Sequence, residues 1–174
     1  VCLGRGPAEQ FYTARRQDPQ ALVAVGPLFG ATRANRAVEV LNRLFLLRDC
    51  SSKQACSFTE QLQLFDIALR PGCLRLEIQS CLGPCIAACS RSVYARQVAL
   101  GKAFLEGSND APVAELEQAM LRAASGRHFE QAIVLREDLK AITWLGRRAG
   151  DMAQARQRYT FVYPVTSQAS EQQP

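Results

Sequence analysis

The chain has 174 residues, enough for one modest domain or two small ones. Apolar residues make up 48% and charged residues 21%, the balance of an ordinary globular protein. No apolar run approaches the roughly 20 residues that span a bilayer, and no basic segment followed by an apolar one opens the chain, so the composition points to a cytoplasmic protein without membrane contact. The net charge is +5, carried mostly by arginine. A mildly basic balance suits nucleic acid or an acidic protein as partner, although charge alone points first to a solvated surface. Val1 in place of an initiator Met reads as a processed or excised piece.

Residues 1–30 are rich in Gly and Pro and read as an irregular segment left over from a preceding domain. Phe11-Tyr12 and the run from Leu22 to Val25 could be short strands, too little for an independent sheet. A helix is expected over 31–47, where Ala37, Val40, Leu41, Leu44 and Leu47 form one apolar stripe. Arg33, Arg36 and Arg43 lie mostly off that stripe. A short helix is expected from Thr59 to Leu69, ending before Pro71, and Pro71, Gly72, Gly83 and Pro84 impose turns.

Ser90 or Ser92 can cap a helix that runs to about Glu106 and stops at Gly107. The spacing predicts a helical hairpin over 112–148. Pro112 fits the first turn of its first helix, which passes Val113, Leu116, Met120 and Ala123 and stops at Gly126. The second helix runs from about His128 to Arg148 with Phe129, Ala132, Leu135, Leu139 and Ile142 on one face. So short a connection makes the two antiparallel neighbours. Residues 149–174 read as an extension with a further helical turn or two over 151–158, a strand over 160–165 and a polar tail. The fold class is therefore mainly α: a small cysteine-rich helical module over 31–107, a two-helix hairpin, and short strands at the N-terminus and near 160–165.

Seven cysteines in a chain without a secretion signal argue for metal rather than disulfides, and the odd number weakens a fully paired framework. Five residues separate Cys50 from Cys56, seven separate Cys73 from Cys81, and three separate Cys81 from Cys85. Thiolates are soft ligands for iron–sulfur clusters and for zinc. Zinc ribbons are built on close C-x2-C pairs, and this sequence has none, so the spacing leans weakly toward an iron–sulfur cluster. Buried free cysteines are the plain alternative, and Cys2 and Cys89 fit it.

The motifs around these cysteines resemble one family. Leu44-Phe45-Leu46-Leu47-Arg48-Asp49-Cys50, followed by Pro71-Gly72-Cys73-Leu74, Ile78 and Cys81-Leu82-Gly83-Pro84-Cys85, is similar to the central segment of UvrC, the nuclease subunit of bacterial nucleotide excision repair. Gly26-Pro27-Leu28-Phe29-Gly30 is similar to the segment that precedes the same helix in that family. The resemblance implies a 4Fe–4S cluster on Cys50, Cys73, Cys81 and Cys85, with zinc as the alternative. The linker between Cys50 and Cys73 is longer than usual in the family, Gly72 looks inserted, and Cys56 or Cys89 could stand in for Cys50.

Residues 115–142 resemble the UVR motif, through Glu115, Leu116, Met120, Ala123, Ala124, Phe129, Glu130, Ala132, Leu135, Arg136 and Leu139. The resemblance implies docking onto the matching hairpin of a UvrB-like partner. Phe129 and Leu135 would be apolar anchors, Ala132 and Leu139 would share their face, and Glu130 or Arg136 would lie at the rim. Packing of Phe129 onto the preceding helix is the alternative. His128, the single histidine, sits in the hairpin turn, where a surface or capping role is commonest.

UvrC proteins carry a GIY-YIG nuclease domain before this segment and an RNase H-like one after it, and neither pattern is present here. The resemblance thus implies a non-catalytic central region of an excision-repair endonuclease, covering roughly residues 20–145. DNA would be a partner as part of a larger complex, with Arg33, Arg36 and Arg43 as candidate phosphate contacts. UVR hairpins also occur in zinc-binding adaptors of stress and Clp-type protease systems. Those adaptors carry C-x2-C pairs, which this sequence lacks.

Overall fold

The computed structural model describes residues 1–158 apart from 5, 17, 52–53 and 63–71. Three short strands, β1 (Cys2–Gly4), β2 (Gln10–Tyr12) and β3 (Ala21–Ala24), form an antiparallel sheet in the order β2-β1-β3. Six helices follow: α1 (Ala31–Leu44), α2 (Thr59–Leu62), α3 (Leu74–Glu77), α4 (Arg91–Leu105), α5 (Ala111–Ser125) and α6 (Phe129–Arg158), with a 3₁₀ turn at Pro84–Ile86 before α4. The chain is mainly helical with a small sheet at its N-terminal end, as its patterning predicts. The 160–165 strand lies outside the described residues.

The two strands expected near the N-terminus are joined by a third, β1, which pairs with both of them. What holds this sheet is a side chain on α1. Asn42 is buried; its Oδ1 accepts from the Phe11 N–H at 2.8 Å and its Nδ2 donates to the Phe11 carbonyl at 3.0 Å. The amide thus satisfies both backbone groups of an edge-strand residue that faces the helix rather than water. Phe11 then enters the core, where its ring lies 6.0 Å from Phe45, and Phe45 lies 6.4 Å from Phe104 of α4. Gly101 makes this approach possible: a Cβ there would lie 2.8 Å from the Phe11 ring.

Helix ends follow one geometry. After α1, α3, α4 and α5, a residue in the left-handed region turns the chain, at Leu46, Gln79, Gly107 and Arg127. In each case the next two N–H groups return to the last-turn carbonyls. At α1 Leu46 bonds Arg43 and Leu47 bonds Asn42; at α5 Arg127 bonds Ala124 and His128 bonds Ala123. This is the Schellman closure. Helix α1 therefore stops at Leu44, and Leu47 is buried by the turn that follows rather than by the helix.

Helix α4 begins where Ser90 accepts from the Val93 N–H at 3.2 Å. The first helix of the hairpin, α5, opens with a buried Pro112. The second, expected to end near Arg148, continues to Arg158, because Ala149 is buried and Met152 also packs on the core beyond it. Of the helix expected over 59–69, Thr59–Leu62 is formed and 63–69 lie outside the described residues. Leu116, Ala141, Ile142 and Leu145 belong to the same apolar cluster as Leu3, Phe11, Val40 and Leu41, so the stem of the hairpin shares its core with the sheet and α1.

Candidate metal centre and docking hairpin

Three segments carry the central thiols. The first leaves α1 through left-handed Leu46, which buries Leu47 and Arg48 and leaves Cys50 half-buried. Arg48 organises the loop beyond it. Its backbone N–H donates to the Tyr94 hydroxyl at 3.1 Å, and that hydroxyl donates to the Glu9 carbonyl at 2.6 Å. Its guanidinium donates to the Ser51 carbonyl, to the Gln54 carbonyl at 3.3 Å and to the Cys56 sulfur at 2.9 Å. A buried cation held by carbonyl oxygens and a sulfur fixes the course of the chain from Cys50 to Cys56.

The second segment is α3. Cys73 caps it in extended conformation, and its carbonyl accepts from Leu76 at 3.0 Å and Glu77 at 3.1 Å. Arg75 pairs with Asp49, the neighbour of Cys50, and so ties this helix to the first segment. The third is the turn from Cys81 to Cys85. The Leu82 N–H donates to the Leu46 carbonyl at 2.9 Å, and the Ser57 N–H donates to the Pro84 carbonyl at 2.8 Å. Gly83 is left-handed and tightly enclosed: a Cβ would lie 3.1 Å from Ala88 and 3.2 Å from Leu76. Its N–H donates to the Cys81 sulfur at 3.3 Å.

Burial pushes the Cys81 thiol up to about 11, with Cys50, Cys73 and Cys85 adding to the rise and the Gly83 N–H opposing it. Burial does the same to Cys85, also to about 11, reinforced by the charge of Cys73 and a thiol hydrogen bond with it, then by Cys50 and Cys56. Cys81 and Cys85 therefore both feel Cys50 and Cys73. Cys56 is turned toward Arg48, and burial raises its thiol while Arg48 opposes the rise. Cys89 is buried in the apolar core and raised to about 11 by burial and then by Glu60. Cys2 is buried in the sheet. Among the described residues, no group of three or more His, Cys, Asp or Glu side chains is placed to hold a metal ion. Cys50, Cys73, Cys81 and Cys85 have the soft-donor chemistry that a cluster or zinc takes, and as placed they do not close around one.

In the hairpin, α5 and α6 pack along their length, and α6 packs on α1. Phe129 is 62% exposed, in the first turn of α6. Glu130 and Arg136 are exposed, Ala132 is half-buried, and Leu135 and Leu139 are half-buried against the core cluster. Phe129 thus keeps most of its surface in solvent, while Leu135 and Leu139 contribute to the stem. Ile133, one turn from Phe129 on the same side of α6, is exposed as well, as are Val134 and, in α5, Leu121. Sequence reading overlooked them; the i,i+4 relation of Phe129 and Ile133 was the available signal. Leu74 and Ile78, one turn apart beside the thiols, are exposed as well.

The three arginines of α1 part company. Arg36 and Arg43 both pair with Asp138 of α6, a carboxylate with no exposed surface. Arg33 is exposed and lies over the ring of Trp144, 5.5 Å from its centroid. No helix among the described residues is long and apolar enough to cross a membrane.

The arrangement is a helical, cysteine-bearing module with a hairpin braced on its flank. Residues 2–104 match the UvrC/Cho excinuclease middle domain, and the chain belongs to that family. It is similar to the UvrABC system protein C of Sphingopyxis alaskensis, with 38% identity over 120 residues that cover 69% of this chain and 17% of that protein. The protein of the same name from Ruegeria sp. strain TM1040 is 33% identical over 118 residues, 68% of this chain and 17% of its own. That from Chelativorans sp. strain BNC1 is 31% identical over 150 residues, 86% of this chain and 21% of its own. The chain thus spans about a fifth of the length of these relatives. No solved structure matches it.

Proposed function

We propose that this chain is a non-catalytic docking region of a cytoplasmic nucleotide excision repair endonuclease, which binds a UvrB-like partner through its hairpin. The carrying observation is the apolar surface at the free end of the hairpin, where Phe129, Ile133, Val134 and Leu121 stand in solvent. Phe129 and Ile133, large apolar side chains exposed one turn apart, have the spacing of anchors on a docking helix face. A second amphipathic hairpin is the partner that covers such a surface with matching i,i+4 anchors. Membership of the UvrC/Cho middle-domain family supports the choice of repair over the adaptor reading.

The cysteine module is the brace behind that hairpin. Cys50, Cys73, Cys81 and Cys85 would hold a 4Fe–4S cluster, with zinc as the alternative. The Arg48 guanidinium on the Cys56 sulfur supports this set over one containing Cys56. When bound, the group would supply a covalent cross-link among three chain segments, with a structural rather than catalytic part.

Binding of this chain to a UvrB-like protein, measured by calorimetry, tests the docking. Phe129→Ala should weaken it at least tenfold, the loss expected of an aromatic anchor of about 2 kcal/mol. Unchanged affinity in Phe129→Ala and in Ile133→Asp would remove the hairpin from the interface.

A further inference from the structure

Small cysteine modules commonly owe their fold to the metal that gathers their thiols, because the ligand segments have no sufficient core of their own. In this chain the segments are anchored by other means. Leu47 and Phe58, which flank the stretch from Cys50 to Cys56, are buried in the apolar cluster that also holds the sheet and the stem of the hairpin. The Phe58 ring lies 5.8 Å from that of Tyr94 in α4.

Between those two anchors the chain converges on the Arg48 guanidinium, which is 2% exposed. A guanidinium is a flat fork of five N–H groups and can collect several acceptors at once. Arg48 collects the carbonyls of Ser51, of Gln54 at 3.3 Å and of Cys50 at 3.5 Å, together with the Cys56 sulfur at 2.9 Å. Acceptors spread over residues 50–56 thus meet at one buried cation, which is the task a metal performs with thiolates. Burial shuts out the water that would compete for these bonds, so loss of the guanidinium leaves buried carbonyls unpaired.

The other two segments join this loop without help from their sulfurs. The Leu82 N–H on the Leu46 carbonyl and the Ser57 N–H on the Pro84 carbonyl tie the turn from Cys81 to Cys85 to both ends of it. Thr59 adds two further ties, its N–H to the Cys89 carbonyl at 3.1 Å and its hydroxyl to the Ala87 carbonyl at 3.2 Å. Arg75 and Asp49 fasten α3. The four candidate ligands meanwhile do not close around an ion.

We propose that Arg48 is the organising centre of the cysteine module, and that the module and the hairpin stem are folded before any metal binds. A cluster or zinc adds to a fold that already stands, so the assignment of Arg48 holds for either. Loss of the metal leaves the stem of the hairpin in place.

Amide hydrogen exchange of the full chain, stripped with a chelator and checked for residual iron and zinc, tests this without any partner protein. The Ser57, Thr59 and Leu82 amides of the metal-free chain should exchange ~100-fold more slowly than in an unstructured peptide. In metal-free Arg48→Met they should exchange ~10-fold faster than in the metal-free parent, while the amides of α6 around Leu145 keep their protection. Arg48→Lys keeps the charge but loses the fork, and should fall between the two. Unprotected Ser57 and Leu82 amides in the metal-free parent would give the organising part to the metal and overturn the proposal. Parental protection of those amides in Arg48→Met would overturn it as well. If Arg48→Met unfolds throughout, so that α6 also loses protection, the metal-free parent and Arg48→Lys decide: a protected parent with faster exchange in Arg48→Lys supports the proposal, and equal exchange in the two overturns it.

Discussion

Asp138 of α6 and Arg43 of α1, 95 residues apart in sequence, meet across the interface that joins the hairpin to the cysteine module. Arg36 reaches the other oxygen of the same carboxylate. The carboxylate is fully buried, whereas both arginines keep a large part of their surface in water. That asymmetry sets an order of effects. Asp138→Ala frees two cations that can be hydrated and should cost about 2 kcal/mol, while the Arg36→Ala, Arg43→Ala double variant strands a buried anion and should cost about 3–5 kcal/mol. Urea unfolding measures both; a double variant more stable than Asp138→Ala would show that the carboxylate is not buried in solution.

The hairpin turn offers a stabilising change. Arg127 occupies the left-handed position of the Schellman closure after α5, at φ 61°. A side chain pays about 1 kcal/mol there that glycine avoids. Arg127→Gly should raise the thermal midpoint, followed by circular dichroism, by several degrees.

Gly101 is the converse case. Its added Cβ would press on Phe11, itself pinned through its backbone by Asn42. Gly101→Ala should destabilise by about 1–3 kcal/mol, the usual effect of overpacking. The further replacement Phe11→Leu should recover part of the loss in the same unfolding assay.

Chain purified without oxygen should carry iron and acid-labile sulfide, lost in Cys81→Ala and retained in Cys56→Ala. Colourless protein with stoichiometric zinc would replace the cluster reading. Binding of either metal should release protons, since the Cys81 and Cys85 thiols are held at about 11 until a cation binds. Metal affinity should therefore weaken as pH falls, by competition between protons and metal for the same sulfurs.

Cys89, outside the candidate ligand set, supplies an alkaline effect on stability. Its thiol is raised from 9.0 to about 11 by burial in the core. A pKa raised in the folded state means that folding favours the neutral thiol. The stability is fully present below pH 9, and it is lost as pH rises through about 11. Cys89→Ala should lose less stability than the parent chain between pH 9 and pH 11; equal losses would place the titration elsewhere.

The helices were legible because their apolar spacing is regular: the stripe from Ala37 to Leu44 is the face that α1 buries. The ends were less so. Three of the four left-handed closures use Leu46, Gln79 and Arg127, and a turn that lacks glycine leaves little trace in the sequence. The sheet was half visible, since β1 depends on partners drawn from distant segments and on Asn42, a polar residue that reads as surface until its burial is known. The thiols stood out by chemistry. Arg48 stood out only as one charge among many, although it fixes the loop that carries Cys50 and Cys56. Phe129 was visible as part of an apolar helix face, but which residues of that face the core would claim depended on the packing of α6 against α1.

Helix α6 is 30 residues long without interruption, a rod of ~45 Å. Asp138 fixes it to α1 nine residues from Phe129, ~13 Å along the axis. Beyond that point Ile142, Leu145 and Ala149 hold the helix in the core, so the free end of the hairpin is a cantilever on a clamped stem, and a force on Phe129 is borne by that stem.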